Sequence, residues 1–528
     1  MSALDKILRS LLLKGSASRL KAVEKCRRKP IESQQEVFAH ILECASETSF
    51  GKEKGLSKTH TIKEFQQSVP IYNYNSFQPY IDRLRKGEDY VLWNQKVRWF
   101  ARSSGTSSDK SKYIPVTPES LETTHFGGMK MMLLNYMEQN PLTKIPTTKA
   151  LTLGGSIICT HEHLKKGIYS GDLSAVMLQH TPKIAELVRT PSKKVALIAE
   201  FDKKVELIAK ESTRQNVSNF SGVPSWNLVM LNRILEYTGK TNLLEVWPNL
   251  EVFFHGGTNF LPYKELYEKL IPSSAMRYVE NYNASEGYFA FQDELERGKG
   301  MLLCTTNGIF YEFIPFKNLD EALTGDNSKV VPLEGVATDV DYAIVITTVG
   351  GLYRYMPEDL VRFVSTDPYR IVISGRTKLY INAFGEELMT ENAERAISQA
   401  CKKTNVQITE FSVAPEFMGY NADGKFRKGR HIWAIEFQTK ELQKGSPEFN
   451  AQKLQEFTTL LDHELTLVNS DYEAKRSKST TLQELKIESL KEGTFMKWME
   501  SRGKVGGQNK VPRLWRDKTY VNQLLELE

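Results

Sequence analysis

The sequence predicts an α/β fold in two units, a large mixed α/β N-terminal domain over residues 1–375 and a smaller α+β C-terminal domain over residues 376–528. Three observations carry this. A chain of 528 residues is longer than one hydrophobic core ordinarily supports, so it divides. From about Leu151 onward, the short apolar runs Val195–Ile198, Glu251–Phe254 and Ala343–Ile346 alternate with longer helical stretches, the pattern of a largely internal sheet covered by helices. After the strand-like Tyr369–Ser374 the chain meets Gly375-Arg376 and a second apolar run, Leu379–Ile381, and then changes style.

The elements follow in order. Ile7, Leu8, Leu11 and Leu12 share one helical face, and Val37, Ile41 and Leu42 recur at similar spacing, so the first hundred residues read mainly as helix. The alternation of strand and helix occupies the middle. In the last 150 or so residues a helix is expected from about Glu391, strands around Ile408–Ala414 and Ile432–Phe437, and a helix over Pro447–Val468, for which Ser446 and Pro447 suit the cap and first turn. Gly506-Gly507 makes the stretch Gly503–Arg513 a loop.

Composition narrows the class of function. With 40% hydrophobic and 25% charged residues the chain has material for a core and is not disordered. The net charge of +6 is small for 134 charged residues, 70 basic and 64 acidic, and basic clusters such as Arg27-Arg28-Lys29 are short, which excludes a nucleic-acid footprint. Cys26, Cys44, Cys159, Cys304 and Cys401 are scattered and fit reduced thiols of a cytoplasmic protein. Leu11–Leu13 lies between Arg9 and Lys14 and lacks a signal peptide's apolar stretch, and no segment is long enough to span a bilayer, so no membrane partner is expected. His161-Glu162-His163 has no evident third metal ligand, and no Gly-x-Ser-x-Gly elbow occurs.

The chemistry-bearing segment is Arg102-Ser-Ser-Gly-Thr-Ser-Ser-Asp-Lys-Ser-Lys112, a hydroxyl-rich turn around Gly105 just after an apolar run. Hydroxyls and free backbone amides around such a glycine hold phosphate oxygens, although the spacing is not that of a P-loop. Further pieces stand in order along the chain: Val69-Pro-Ile-Tyr72, Tyr80–Gly87, Asn307–Pro315, Gly351-Leu-Tyr-Arg-Tyr355 and Gly506-Gly-Gln-Asn-Lys-Val-Pro-Arg513. In that order and spacing the sequence resembles the adenylate-forming enzymes, and within them a microbial-type member of the auxin-responsive acyl-acid amido synthetases, the Gretchen Hagen three family.

The resemblance implies an ATP- and Mg²⁺-dependent ligase that converts a small carboxylic acid to its acyl-AMP and joins the acyl group to an amine, an amino acid by family; the oligomeric state stays open, a monomer being favoured. An acid:thiol ligase using coenzyme A and a catalytically silent nucleotide-binding protein are the alternatives. Ser103, Ser104, Gly105, Thr106 and Ser107 match the family's phosphate loop. In Asn281–Gly287, Tyr282 matches the aromatic that covers adenine, Ser285 lies near the nucleotide, and Glu286 helps hold Mg²⁺. Gly256 and Gly257 match a turn that flanks adenine, and Asp359 matches the carboxylate that accepts bonds from the ribose hydroxyls, with Glu358 where the family pattern has glycine. Arg376 matches a nucleotide contact, Lys378 the hinge near 376–380 about which the mobile C-terminal domain turns, and Lys510 the lysine that serves adenylation at the α-phosphate.

Overall fold

In a computed structural model, the structure describes residues 3–103, 112–155, 167–198, 200–295, 298–377, 380–421, 423–476, 481–501 and 512–527. The N-terminal stretch is helical as expected, with helices Ala3–Gly15, Ala17–Arg28, Pro30–Ser46, Ser49–Glu53, Ile62–Ser68 and Tyr74–Arg85. Their starts are written in the sequence. Pro30 opens one helix, and Thr61 with Glu64 and Asn73 with Ser76 form reciprocal capping boxes on two others. Phe38, Ile41, Phe65 and Phe77 are buried in one cluster with Phe310 and Ile344 of the sheet and with Tyr353.

The centre of the large unit is a sheet of twelve strands. At one end Arg189–Thr190, Lys149–Thr152, Val217–Gly222, Val252–His255 and Arg277–Ala284 run parallel. The rest is antiparallel and continues through Gly287–Phe291, Met301–Leu303, Tyr369–Arg376, Asp359–Thr366, Asp341–Thr348, Ile309–Pro315 and Val331–Pro332. The strand Arg277–Ala284 belongs to both regimes. Its first half pairs in parallel with Val252–His255, and its second half pairs antiparallel with Gly287–Phe291. At that change of direction the chain ends of the parallel strands are left uncovered, the usual place for a ligand in an α/β sheet.

A small second sheet joins Trp99–Ser103 to Lys112–Val116 antiparallel and to Tyr169–Gly171 in parallel. The smaller C-terminal domain is a three-stranded sheet of Ile408–Glu416, Arg430–Phe437 and Lys486–Leu490, with the helices Thr390–Thr404 and Ala451–Val468. Both faces of the middle strand are covered. Trp433 and Ile435 pack with Phe411, Phe457 and Leu461, while Ile432 and Ala434 pack with Phe495, Trp498 and Leu524. This double burial is why residues 432–437 read as an almost unbroken apolar run.

Two expectations need correction, and three elements stand where none was expected. Val195–Ile198 is not a strand: the helix Lys193–Ala196 follows Pro191-Ser192, and four apolar residues are too few for periodicity to separate the two states. The helix expected from Pro447 begins at Ala451, because the Asn450 side chain accepts hydrogen bonds from the Gln452 and Lys453 amides and so caps it there. The strand Lys486–Leu490 and the helices Thr494–Ser501 and Thr519–Glu526 had no sequence expectation.

Candidate functional site

A cleft of about 1090 Å³ opens where the parallel strands end. Its floor comes from the turn after Val252–His255 and from Arg277–Ala284 with the residues that follow. One wall is the end of Tyr369–Arg376, and Pro415, Phe417, Arg516 and Asp517 of the C-terminal domain face it. Gly256, Gly257, Tyr282 and Ser285 line this cleft, and so do Glu286, Asp359 and Arg376. Residues separated by as many as 120 positions in sequence are thus brought to one surface by the sheet. Ser104, Gly105, Thr106, Ser107, Lys378 and Lys510 lie outside the described residues. Ser103 ends its strand as the register partner of Lys112, so the segment 104–111 joins two paired strands, and Lys112 itself lines the cleft.

The floor requires glycine at one place. A Cβ on Gly256 would stand 2.3 Å from the Asn281 carbonyl oxygen, a contact no side chain tolerates, and the Asn281 amide in turn donates to the His255 carbonyl at 2.9 Å. His255 is buried and stacks on Phe260 with ring centroids 4.3 Å apart; burial lowers its pKa to about 3, so the imidazole is neutral at ordinary pH.

Asp359 is the centre of a hydrogen-bonded group. Tyr282 Oη donates to one carboxylate oxygen at 2.5 Å and Arg376 Nε to the other at 2.7 Å. The guanidinium also reaches Glu387, at 3.2 and 3.3 Å, and lies 4.9 Å from the Tyr380 ring centroid. Burial alone would favour loss of the Arg376 proton, but the Glu387 and Asp359 carboxylates outweigh it and raise the pKa well above the usual arginine range. Tyr282, 4% exposed, packs on Phe289 with ring centroids 4.6 Å apart and fixes Asp359 through its hydroxyl.

Glu286 lines the cleft. Burial raises its carboxyl pKa above the ordinary range, and the charges of Lys112 and Arg376 offset part of that rise. A carboxylate of this kind is a hard oxygen ligand that Mg²⁺ accepts. Sequence reading passed over Lys112 and Glu387. The signal for Lys112 was its place at the end of the hydroxyl-rich segment; nothing in the sequence tied Glu387 to Arg376, since that contact depends on how the chain turns after the strand Tyr369–Arg376.

At the residue before Asp359 the concern raised by the sequence is met directly. Glu358 has φ of +73°, in the region where glycine is free and other residues are strained, and its carbonyl accepts from the Thr377 amide at 2.9 Å. The glutamate adopts the conformation for which glycine is the easier residue, and Asp359 keeps its place in the strand.

Comparison with known proteins adds the family. Its relatives include a putative indole-3-acetic acid-amido synthetase, GH3.9, of Arabidopsis thaliana, 24% identical over 96% of this chain and 95% of the relative. The 4-substituted benzoates-glutamate ligase GH3.12 of the same plant is 23% identical over 85% of this chain and 87% of its own length. Among solved structures, the AtGH3.15 acyl acid amido synthetase in complex with 2,4-DB matches with a TM-score of 0.58 at 18% identity, covering 96% of this chain and 95% of that one. A 2-hydroxyisobutyryl-CoA ligase in complex with 2-HIB-AMP and CoA matches with a TM-score of 0.56 at 12% identity, covering 96% and 94%. At such identities these two likenesses establish a shared fold. No helix among the described residues is long and apolar enough to cross a membrane. The models of the GH3 family N-terminal domain, central domain and C-terminal domain match residues 19–276, 302–376 and 391–519 in that order, and the chain belongs to the GH3 family.

Proposed function

We propose that this protein is an ATP-dependent acyl-acid amido synthetase, an AMP-forming ligase that adenylates a small carboxylic acid and passes the acyl group to an amine, an amino acid by analogy with its relatives. The observation that carries the reading is the cleft at the sheet's change of direction, where Glu286, Asp359 and Arg376 converge within a chain that matches the family's three domains between residues 19 and 519. Asp359 is the ribose acceptor, its two oxygens oriented by Tyr282 and Arg376. Glu286 would hold Mg²⁺, which supplies charge neutralisation across the phosphates when bound. The hydroxyls and amides of Ser103–Ser107 serve the phosphates, and Gly256-Gly257 allow close approach of the base.

The reaction has two stages. A carboxylate oxygen of the acid attacks the α-phosphorus, the bond to the β-phosphate bridging oxygen breaks, and pyrophosphate leaves. The amine nitrogen then attacks the acyl carbon, and AMP departs with the former carboxylate oxygen, leaving the amide. Lys510 offsets the charge that builds up when two anions meet in the first stage. The boundary between the domains falls near residue 375, and a hinge at 376–380 that includes Lys378 turns the C-terminal domain between stages.

Two outcomes follow for variants. Asp359→Ala is expected to weaken ATP binding roughly tenfold or more, the loss of a charged hydrogen bond worth about 1.5–3 kcal/mol, while the protein stays folded; unchanged affinity by calorimetry would remove the ribose assignment. Lys510→Ala is expected to cripple acyl-AMP formation and largely spare aminolysis of supplied acyl-AMP, read by rapid quench of each half-reaction, and equal losses in both would refute that division. The reading itself is tested by mass spectrometry of products formed from ATP, a panel of acids, pooled amino acids and coenzyme A. Acyl-amino acids support it. Acyl-CoA as the sole product would replace it with a thiol ligase.

A further inference from the structure

Glu358 combines a strained backbone with an inward side chain. Its φ of +73° costs energy that a glycine would not, and a turn alone therefore gives no reason for a glutamate here. The side chain is 10% exposed, and its carboxylate lies 3.7 Å from the Lys112 ammonium, itself on a side chain only 7% exposed. Lys112 is the first described residue after the segment 104–111, pairs across the strands with Ser103, and lines the cleft. Glu358 is thus the carboxylate that meets the buried Lys112 ammonium, and Glu286 lines the same cleft.

We propose that Glu358 is a positioning residue that holds the Lys112 ammonium in the cleft as the contact for the polyphosphate of the nucleotide. The inference rests on the nucleotide-binding reading above and adds to it a role for two residues. Glu358 meets the ammonium at 3.7 Å. It adjoins Asp359 in sequence, so the ribose acceptor and the anchor of the phosphate lysine are set by one backbone turn, and a nucleotide that seats its ribose on Asp359 meets Lys112 already placed. When phosphates arrive, the ammonium exchanges or shares its carboxylate partner for phosphate oxygens without crossing bulk water.

The test is MgATP affinity by calorimetry for the wild type, Glu358→Gln, Glu358→Gly, Lys112→Met and the double variant Glu358→Gln/Lys112→Met. Glu358→Gln and Glu358→Gly are each expected to weaken binding about tenfold, and Glu358→Gln is expected to add nothing once Lys112 is methionine, the mark of two residues acting as one unit. Glu358→Gly relaxes the backbone, so it guards against a variant that fails merely by misfolding. Affinity at the wild-type level in Glu358→Gly would overturn the proposal, because the position would then supply only a turn. Losses that add in the double variant would overturn it too. A wild type that binds no MgATP would sink the nucleotide reading itself, whereas normal wild-type binding with unaffected Glu358 variants would sink this inference alone.

Discussion

Glu286→Gln is expected to lower acid-dependent ATP–pyrophosphate exchange on the order of a hundredfold or more, the scale seen when one preorganised electrostatic partner is removed from a transition state. The substitution keeps shape and removes charge. Glu286 sits on a turn between Arg277–Ala284 and Gly287–Phe291, strands paired by their own backbone bonds, so the fold has no reason to change. What changes is the hard anionic ligand for a divalent cation. The amide would be a weaker ligand and would leave Lys112 with Glu358 as its acidic neighbour. Raising Mg²⁺ concentration is therefore expected to restore part of the lost rate. A second consequence follows from the environment of the group: burial raises the Glu286 pKa, Lys112 offsets part of that rise, and the working form is the ionised one. The acid limb of kcat/KM in the wild type is accordingly expected above the ordinary carboxylate range, with activity lost as pH falls through it. Exchange by Glu286→Gln at the wild-type rate and Mg²⁺ dependence would remove the metal role.

Arg354→Met is expected to destabilise the large domain by about 3–5 kcal/mol, the usual result of leaving a buried charge without its partner. Arg354 is fully buried, and so is Glu312, whose carboxylate accepts from Arg354 Nε at 3.1 Å. The same guanidinium donates to the carbonyls of Gln66 and Val69 at 3.1 and 2.7 Å and to the Asn327 side chain at 2.9 Å. It ties the helix Ile62–Ser68 and the residue after it to the strand Ile309–Pro315, next to the antiparallel edge of the sheet. Removing it takes the cationic partner from Glu312, to which Gln66 Nε2 still donates, and takes one donor each from the Gln66 and Val69 carbonyls and the Asn327 side chain. The double variant Arg354→Met/Glu312→Leu is expected to recover much of the loss, since an apolar pair of similar volume needs no partner. Urea unfolding followed by tryptophan fluorescence checks both. A single variant as stable as the wild type would show that the buried pair contributes nothing.

These two residues show what was legible in the sequence and what was not. Glu286 was legible because its neighbours Asn281–Ser285 form a local pattern, and local pattern survives in one dimension. Arg354 stood in an equally recognisable stretch, Gly351–Tyr355, but its role is a contact with Glu312, 42 residues earlier, and with the carbonyls of Gln66 and Val69, nearly 300 residues earlier. Such pairing is decided by the order of strands in the sheet, and that order is not written in any window of the chain. Tyr282 is intermediate. Its position was readable, but whether its ring faces the cleft or the core depends on the packing of Phe289 across the strand pair. Glu358 was noticed as an oddity before a glycine-seeking turn; the φ of +73° explains the oddity, and the nearness of Lys112 supplies the reason a carboxylate stands there. The strands and helices missed after Lys486 are short, and their apolar residues face a small local core of Phe495, Trp498 and Leu524 that periodicity over so few residues does not reveal.

Carboxylic acid activation is the central claim, and ATP–pyrophosphate exchange measures it most directly. Labelled pyrophosphate is supplied with ATP, Mg²⁺ and each of a panel of small carboxylic acids, with no amine present. The expected result is incorporation of label into ATP with at least one acid, dependent on that acid and on Mg²⁺, and strongly reduced in Glu286→Gln and Asp359→Ala. Exchange with no acid in a folded protein that binds MgATP, or exchange independent of any acid, would contradict the assignment.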